Sequence, residues 1–326
     1  MLRNILVVGG NGFIGSAICK AAVSRGMNVT SISKSGNPFR TPKGHSPAWT
    51  SKVEWVAADA LNPSSYKEII PAQTAVIHTL GTLLEGTSYK ASVRDGNPFG
   101  LANAVVQNLI GNKNPLKESE GLPDSYESLN RDSALKVCET FVSSSQTDTT
   151  TKGEDQSFYK RPFIFISAED IFRPIIPARY IETKREAERG IHELVQGNAN
   201  IRAAFIRPSL VYHPHFRPLT TPIAALLDLS STLHHSMPNG IPTPASVLRA
   251  ISSSSTSSPS IVEHSPSALA SVAHAFTTPP IHVDHVAEAV CKVIEDDTVE
   301  GVVDVPKMRE LIGWLEMGDE HKLGAA

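Results

Sequence analysis

Cysteine is scarce and scattered. The 326 residues hold 3, at Cys19, Cys138 and Cys291. They form no CxxC or Cys/His ligand spacing, which argues against a zinc site, and an odd, dispersed set argues against a disulfide framework. Cys19 and Cys138 fall in helical patterns and read as buried thiols. An excess of one charge is also missing. Against 30 Lys and Arg stand 33 Asp and Glu, a formal net charge of -3, so no basic footprint points to nucleic acid. Charged residues make up 19%, below the roughly 25% of ordinary soluble domains. Ser, Thr and 23 Pro supply the remaining polarity. No apolar run is long enough to span a bilayer, so any membrane association is expected to be peripheral. The first strand begins almost at Met1, and no cleavable leader is expected ahead of it. Hydrophobic content of 40% excludes wholesale disorder, and the length fits one large domain or two small ones.

The opening segment carries the clearest pattern. Asn4-Ile5-Leu6-Val7-Val8 is a short apolar run of the kind buried on both faces of a parallel sheet. Gly9, Gly12 and Gly15 follow at G-x-x-G-x-x-G spacing, and Phe13, Ile14, Ala17, Ile18, Ala21 and Ala22 then recur at helical spacing up to Gly26. Strand, glycine turn, helix and a second strand, Met27 to Ser33, make a βαβ unit. In that context one glycine permits the turn, one lets backbone approach a pyrophosphate, and one lets helix and strand pack closely. The helix N-terminus offers its positive dipole end to the phosphates. The expected site therefore comprises Gly9, Gly12, Phe13, Ile14 and Gly15.

A dinucleotide site that selects NAD usually carries an acid at the end of the second strand. Here that place reads Ser31-Ile32-Ser33-Lys34-Ser35-Gly36. Ser33 and Lys34, with Arg40 near in sequence, can accept a 2′-phosphate, which favours NADP(H) over NAD; the plain alternative is that Lys34 is a solvated loop charge. Val53 to Ala57 is a third strand followed by Asp59, a candidate acceptor for an adenine amine. Ala75 to Gly81 is a fourth strand running into a glycine turn, with His78 read as a satisfied strand-end histidine.

Residues 82–125 form an insertion rich in Gly, Asn, Pro and Lys, in which Ala102 to Ile110 has a helical pattern. Tyr126 to Val142 reads as a helix and Ser143 to Ser157 as a surface loop. Phe163 to Ala168 is a fifth strand containing Ser167. Tyr180 and Lys184 follow, four apart, so a helix places them on one face. An ammonium beside a phenol favours phenolate, and a tyrosine so tuned exchanges a proton with a substrate oxygen near neutral pH. Ser167 can hold that oxygen.

With these residues in place the chain resembles the short-chain dehydrogenase/reductase superfamily, more narrowly its atypical or extended branch. Gly9, Gly12 and Gly15 match the family's cofactor glycines, and Tyr180 with Lys184 its catalytic pair. Ser167, 13 residues before Tyr180, matches the catalytic serine by that separation. Asn130 lies where the family often keeps an asparagine. Arg207-Pro208-Ser209-Leu210-Val211-Tyr212 resembles the segment whose proline, here Pro208, backs the nicotinamide. Ile281 to Val290 resembles a late stretch of extended members. The resemblance implies an α/β fold, a Rossmann-type doubly wound parallel sheet over 1–212, and a small substrate-capping region over 213–326 that also returns elements to the sheet. It implies Ser167, Tyr180, Lys184 and Asn130 as catalytic residues, with Gly81, Lys184 and Pro208 added to the cofactor site. Within the branch the chain is similar to fungal mitochondrial reductase-like proteins associated with coenzyme Q biosynthesis, and to the nucleotide-binding accessory subunit of respiratory complex I. That implies a mitochondrial location, a quinone precursor as substrate and a coenzyme Q biosynthetic complex as partner. It also leaves open a non-catalytic dinucleotide-binding scaffold or a nucleotide-ratio sensor.

Asn200 to Ile206 is a sixth strand, Pro222 to Leu229 a short amphipathic helix, and Ser252 to Ser260 a hydroxyl-rich loop. Val286 to Glu295 reads as a helix, Val302 to Val305 as a strand, and Met308 to Leu315 as a terminal helical turn. His213, His215, His234 and His235 have no carboxylate or Cys partner in a ligand pattern and read as solvated loop residues, so no metal is expected.

Overall fold

A computed structural model describes residues 3–81, 125–146, 159–171, 173, 176–216, 220–237, 245–248, 250 and 268–314. A seven-stranded sheet organises them. Its strands are β1 (Asn4–Val8), β2 (Asn28–Ser33), β3 (Val53–Ala57), β4 (Ala75–His78), β5 (Arg161–Ile166), β6 (Ile201–Ile206) and β9 (Gly301–Val303). Their spatial order is β3-β2-β1-β4-β5-β6-β9, and every pairing is parallel. The order reverses between β1 and β4. In open α/β sheets ligands bind there, beyond the carboxyl ends of the strands.

Period-2 alternation explains why the strands read as continuous apolar runs. Ile5 and Val7 of β1 enter one core with Ile77, Ile164, Ile166 and Ile206; Leu6 and Val8 enter the other with Val76, Phe163, Phe165 and Phe205. The first core is closed by α1 (Phe13–Ser24) packed on α6 (Val283–Glu295). The second is closed by α2 (Ser133–Gln146) and α3 (Ala178–Val195). A strand buried on both faces needs apolar residues at every position. The fully buried Cys19, Cys138 and Cys291 sit within these cores. Burial pushes their thiols up, Cys291 to about 11.

Several element bounds differ from the sequence expectation, for local reasons. Helix α2 continues to Gln146 instead of giving way to loop at Ser143. The Ser144 hydroxyl donates to Phe141 O at 2.7 Å, a back-bond that lets a helix absorb serines. Helix α6 begins at Val283, earlier than Val286, because His282 caps it by accepting from Asp284 N at 3.2 Å. The expected strand 302–305 stops at Val303. Asp304 accepts from Lys307 N at 3.0 Å and, with a proline in the first turn, starts α7 (Val305–Leu311) instead. Helix α4 (Thr220–Ser236) is longer than the expected short amphipathic one, and α5 (Ala268–Ala275) had no signal. A two-stranded parallel ribbon, β7 (Val211–Tyr212) with β8 (Ile281–His282), completes the fold. The expected helix Ala102–Ile110, the rest of the insertion from 82 to 124, and the loop Ser252–Ser260 lie outside the described residues. Among the described residues no helix is long and apolar enough to cross a membrane.

Candidate functional site

The glycine turn meets its three requirements separately. Gly9 has φ +86°, a left-handed backbone that L side chains rarely adopt. A Cβ on Gly15 would collide with the Gly9 carbonyl, so this glycine brings helix and strand together. A Cβ on Gly12 would meet only Gly9 O, at 3.2 Å, and otherwise open space, so its bare backbone faces the cleft. Gly12 also caps α1 with no side-chain acceptor. The positive end of the helix dipole therefore opens on the cleft.

Two adjoining lobes surround this turn. The first, about 340 Å³, is lined by Ser33, Lys34, Asp59, Gly81 and neighbours at the ends of β2 and β3. The second, about 380 Å³, is lined by Gly9, Gly12, Phe13, Ile14, Gly15, Ser167, Tyr180, Lys184 and Pro208, among others. Asn11, Leu80 and Gly81 line both. The glycines, Ser33, Lys34, Asp59, Ser167, Tyr180, Lys184 and Pro208 thus line one or other of two lobes that share three residues, while Asn130 stands behind Gly81. Arg40 is exposed and lines neither lobe.

Helix α3 explains the placement of the Tyr–Lys pair. Its buried face carries Ile181, Lys184, Ala187, Glu188, Ile191 and Val195, and Lys184 occupies a core-facing position at 2% exposure. Its ammonium donates to Leu80 O at 3.1 Å and Ile166 O at 2.9 Å, over the Phe165 ring. Burial lowers its pKa to about 7, with Glu188 acting weakly against that shift. A surface i,i+4 pair would not be built this way. Tyr180 is half-buried and lines the same lobe, its ring edge-on to Tyr126 at 6.3 Å between centroids.

Ser167 directly follows β5 and lines the same lobe. Its Oγ accepts from the Arg185 guanidinium at 3.0 Å, which leaves the hydroxyl proton available to donate. Arg185 is held in turn by Glu188 at 2.8 Å and by Ala168 O at 2.8 Å, and Glu188 also binds Arg207. Asn130 is fully buried in a π-helical turn, Glu127–Asp132, that precedes α2. Its Nδ2 donates to Thr183 Oγ1 at 3.3 Å, and a Cβ on Gly81 would lie 3.1 Å from its Oδ1 and 2.9 Å from Lys184 Nζ. Gly81 is glycine because Asn130 and Lys184 close in behind it. Single π-turns inside helices are frequent at functional sites.

His78 is satisfied on one side only. Its Nε2 meets Ser133 Oγ at 3.1 Å, and because that hydroxyl donates to Leu129 O, the imidazole is the donor. Burial, aided by the Lys184 charge, lowers its pKa from 6.5 to about 3. The folded protein thus takes up the His78 proton only in strong acid, while the unfolded chain binds it first. Stability is full above pH 6.5 and falls as pH drops toward 3. The expected slope is about 1.4 kcal/mol per pH unit from this group alone. Urea unfolding between pH 6.5 and 5 should show a flatter acid limb for His78→Asn; equal slopes would refute the assignment.

Sequence reasoning missed three features. Asn11, inside the glycine turn, has its amide within reach of Ser33 Oγ at 3.2 Å and Ser35 Oγ at 3.4 Å, tying the turn to the end of β2. Arg185 and Glu188 stand i,i+3 beside Lys184, a pairing visible in the local sequence. Glu169, paired with His274 at 3.2 Å, comes from residues far apart in sequence. The histidine expectation needs correction. His213 lies against His282 and Asp284 instead of standing solvated in a loop, with ligand-type atoms within 4.8 Å of one another. Both His213 and His282 turn Nδ1 toward backbone N–H groups, and Lys20 pairs with Asp284 at 3.4 Å.

Residues 5–108 match the model of the "NAD dependent epimerase/dehydratase family". The chain is 35% identical over 215 residues to MIOREX complex component 2 of Saccharomyces cerevisiae, covering 66% of this chain and 75% of that protein. The chain belongs to the short-chain dehydrogenase/reductase superfamily, in its NAD-dependent epimerase/dehydratase family. A chloroplastic protein of Arabidopsis thaliana is 34% identical over 112 residues, 32% of this chain and 36% of that one. An oxidoreductase of the same superfamily from Burkholderia thailandensis superposes with TM-score 0.52 at 13% identity, over 99% of this chain and 98% of that chain. At that identity the shared property is the fold.

The residues present fit a nicotinamide dinucleotide. Gly12 leaves the approach at the head of α1 bare, and Gly81 leaves the space beside Lys184 that a side chain would fill.

Proposed function

We propose that this chain is an NADP(H)-dependent oxidoreductase acting on a ketone or alcohol. One observation carries the reading: Ser167, just past β5, and Tyr180 and Lys184 of α3 line one lobe with the glycine turn of β1 and α1. The dinucleotide, when bound, supplies or accepts the hydride. The remaining work belongs to the chain. Gly9, Gly12, Phe13, Ile14 and Gly15 would receive the pyrophosphate. Ser33, Lys34 and Asp59 would hold the adenosine end, and Pro208 would back the nicotinamide. Ser167 Oγ–H, with its acceptor side engaged by Arg185, donates to the substrate oxygen. The Tyr180 phenol exchanges the proton with that oxygen. The Lys184 ammonium, poised near neutrality by burial, favours the phenolate and stands where ribose hydroxyls would lie. Asn130 holds the π-turn against Thr183 and backs Gly81.

The cofactor preference rests on what β2 ends in. Ser33 and Lys34 line the first lobe, and no acid stands at that strand end to accept from a ribose 2′-hydroxyl. NADPH should therefore bind more tightly than NADH, and Lys34→Asp should narrow or reverse the ratio. Calorimetric titration of both dinucleotides checks this, and a native preference for NADH would reduce Lys34 to a surface charge.

The setting we propose is mitochondrial, with a quinone precursor as substrate, in or beside a coenzyme Q biosynthetic complex. The supports are the likeness to MIOREX complex component 2, a relative whose name makes it part of an assembly, and the resemblance to reductase-like proteins of that pathway. Membership of an assembly also favours a second reading, a dinucleotide-binding scaffold without turnover. Loss of reduced-nicotinamide absorbance with a panel of quinone precursors separates the two. Turnover supports the enzyme, and tight dinucleotide binding with no turnover supports the scaffold.

A further inference from the structure

Two consecutive acids follow the end of β5, and they are treated differently. Asp170 is neutralised by Arg173, which donates from Nε to Oδ1 and from its terminal nitrogen to Oδ2, both at 2.9 Å. It does not line the cleft. Glu169 does. Its backbone N–H is fixed to Pro208 O at 2.9 Å, which holds it next to the place assigned to the nicotinamide. Its Oε1 meets His274 Nε2 at 3.2 Å, across from α5. Its other oxygen has no hydrogen-bond donor among the described residues. Burial raises the Glu169 carboxyl, but the His274 hydrogen bond and charge, helped by Arg185, outweigh it and keep the group ionised below its ordinary value.

Ile171, Ile176 and Leu210 give the same lobe apolar surface. The one cation lining this lobe among the described residues is Lys184, and both of its contacts given above are to backbone carbonyls. Arg185 and Arg207 are held by Glu188 and line no part of the lobe. A carboxylate or phosphate on a substrate would therefore enter a half-buried cleft facing the Glu169 carboxylate, with no arginine lining it among the described residues. A buried charge without a partner is costly, and a like charge makes it worse.

We propose that Glu169 selects the substrate class: uncharged carbonyl compounds or alcohols that carry a second hydrogen-bond donor, such as a ring hydroxyl, to be accepted by its free oxygen, with anionic substrates excluded. This rests on reading the lobe as the substrate side of a nicotinamide site.

Three ketones of one shape test it: 4-hydroxyacetophenone, 4-methoxyacetophenone and 4-acetylbenzoate. Their affinities are measured by ligand-observed NMR on the full chain, with and without oxidised NADP, so that no reduction occurs. The wild type should bind the hydroxy compound at least ~10-fold more tightly than the carboxylate, as one misplaced buried charge or donor implies. The methoxy compound should fall between them. Glu169→Gln should shrink the hydroxy-to-carboxylate ratio to within ~3-fold, and Glu169→Asp should restore most of it. Equal wild-type affinities, a ratio unchanged in Glu169→Gln, or no binding of the hydroxy compound at millimolar concentration would each overturn the proposal. The wild-type ratio stands as a test even if a variant fails to fold. Absence of dinucleotide binding would sink the proposed function while leaving the discrimination measurable on the free chain.

Discussion

Tyr180→Phe should lower turnover by ~10²–10⁴, the usual cost of losing a general acid or base, while dinucleotide affinity stays near wild type. The variant removes one hydroxyl and keeps the ring, so its edge contact with Tyr126 persists. Lys184 remains held by Leu80 O and Ile166 O. Substrate oxygen would then meet the Ser167 donor but have no group to exchange its proton. Lys184→Met should reduce both rate and affinity, because the ammonium tunes the phenol and stands beside Gly81 where ribose would lie. Steady-state rates and calorimetric titration on the same samples check the split. A Tyr180→Phe protein as active as wild type would remove the phenol from the mechanism.

Gly12→Val should abolish dinucleotide binding. The Cβ itself has room, with Gly9 O the nearest atom at 3.2 Å. The branched methyls beyond it would fill the space over the head of α1 that a pyrophosphate needs. The fold should survive, because Gly12 has ordinary extended backbone and is exposed. Gly15 is the contrast. There even a methyl would strike the Gly9 carbonyl, so a substitution would disturb the β1–α1 packing itself. Titration of Gly12→Val with NADPH, beside a thermal melt, tests the distinction. Wild-type affinity would contradict the assignment.

Local sequence carried the parts of the architecture that depend on neighbours along the chain. The glycine spacing after an apolar run identified the β1–α1 turn, and the i,i+4 relation of Tyr180 and Lys184 put both on one helix face. The serine after the β5 run and the missing acid after β2 are equally plain, because each is a property of a few adjacent residues. What stayed illegible depends on tertiary placement. Asn11 reaches Ser33 and Ser35 only because the β1–α1 turn folds against the end of β2. Glu169 meets His274 across some hundred residues, a separation no periodicity records. The setting of His213 is hidden for the same reason: β7 pairs with β8, which carries His213 to His282 and Asp284. At α6 and α7, His282 and Asp304 act as caps and shift the expected bounds by a few residues.

The central claim is that this chain turns its dinucleotide over instead of merely holding it. The most direct measurement is coenzyme Q content in a strain lacking the native gene, carrying the wild-type chain, Tyr180→Phe or Gly12→Val at equal expression. The account predicts that the wild-type chain raises quinone content and that both variants fail to do so. Quinone content restored by Tyr180→Phe to the wild-type level, with Gly12→Val still deficient, would contradict it and leave a dinucleotide-dependent scaffold in its place.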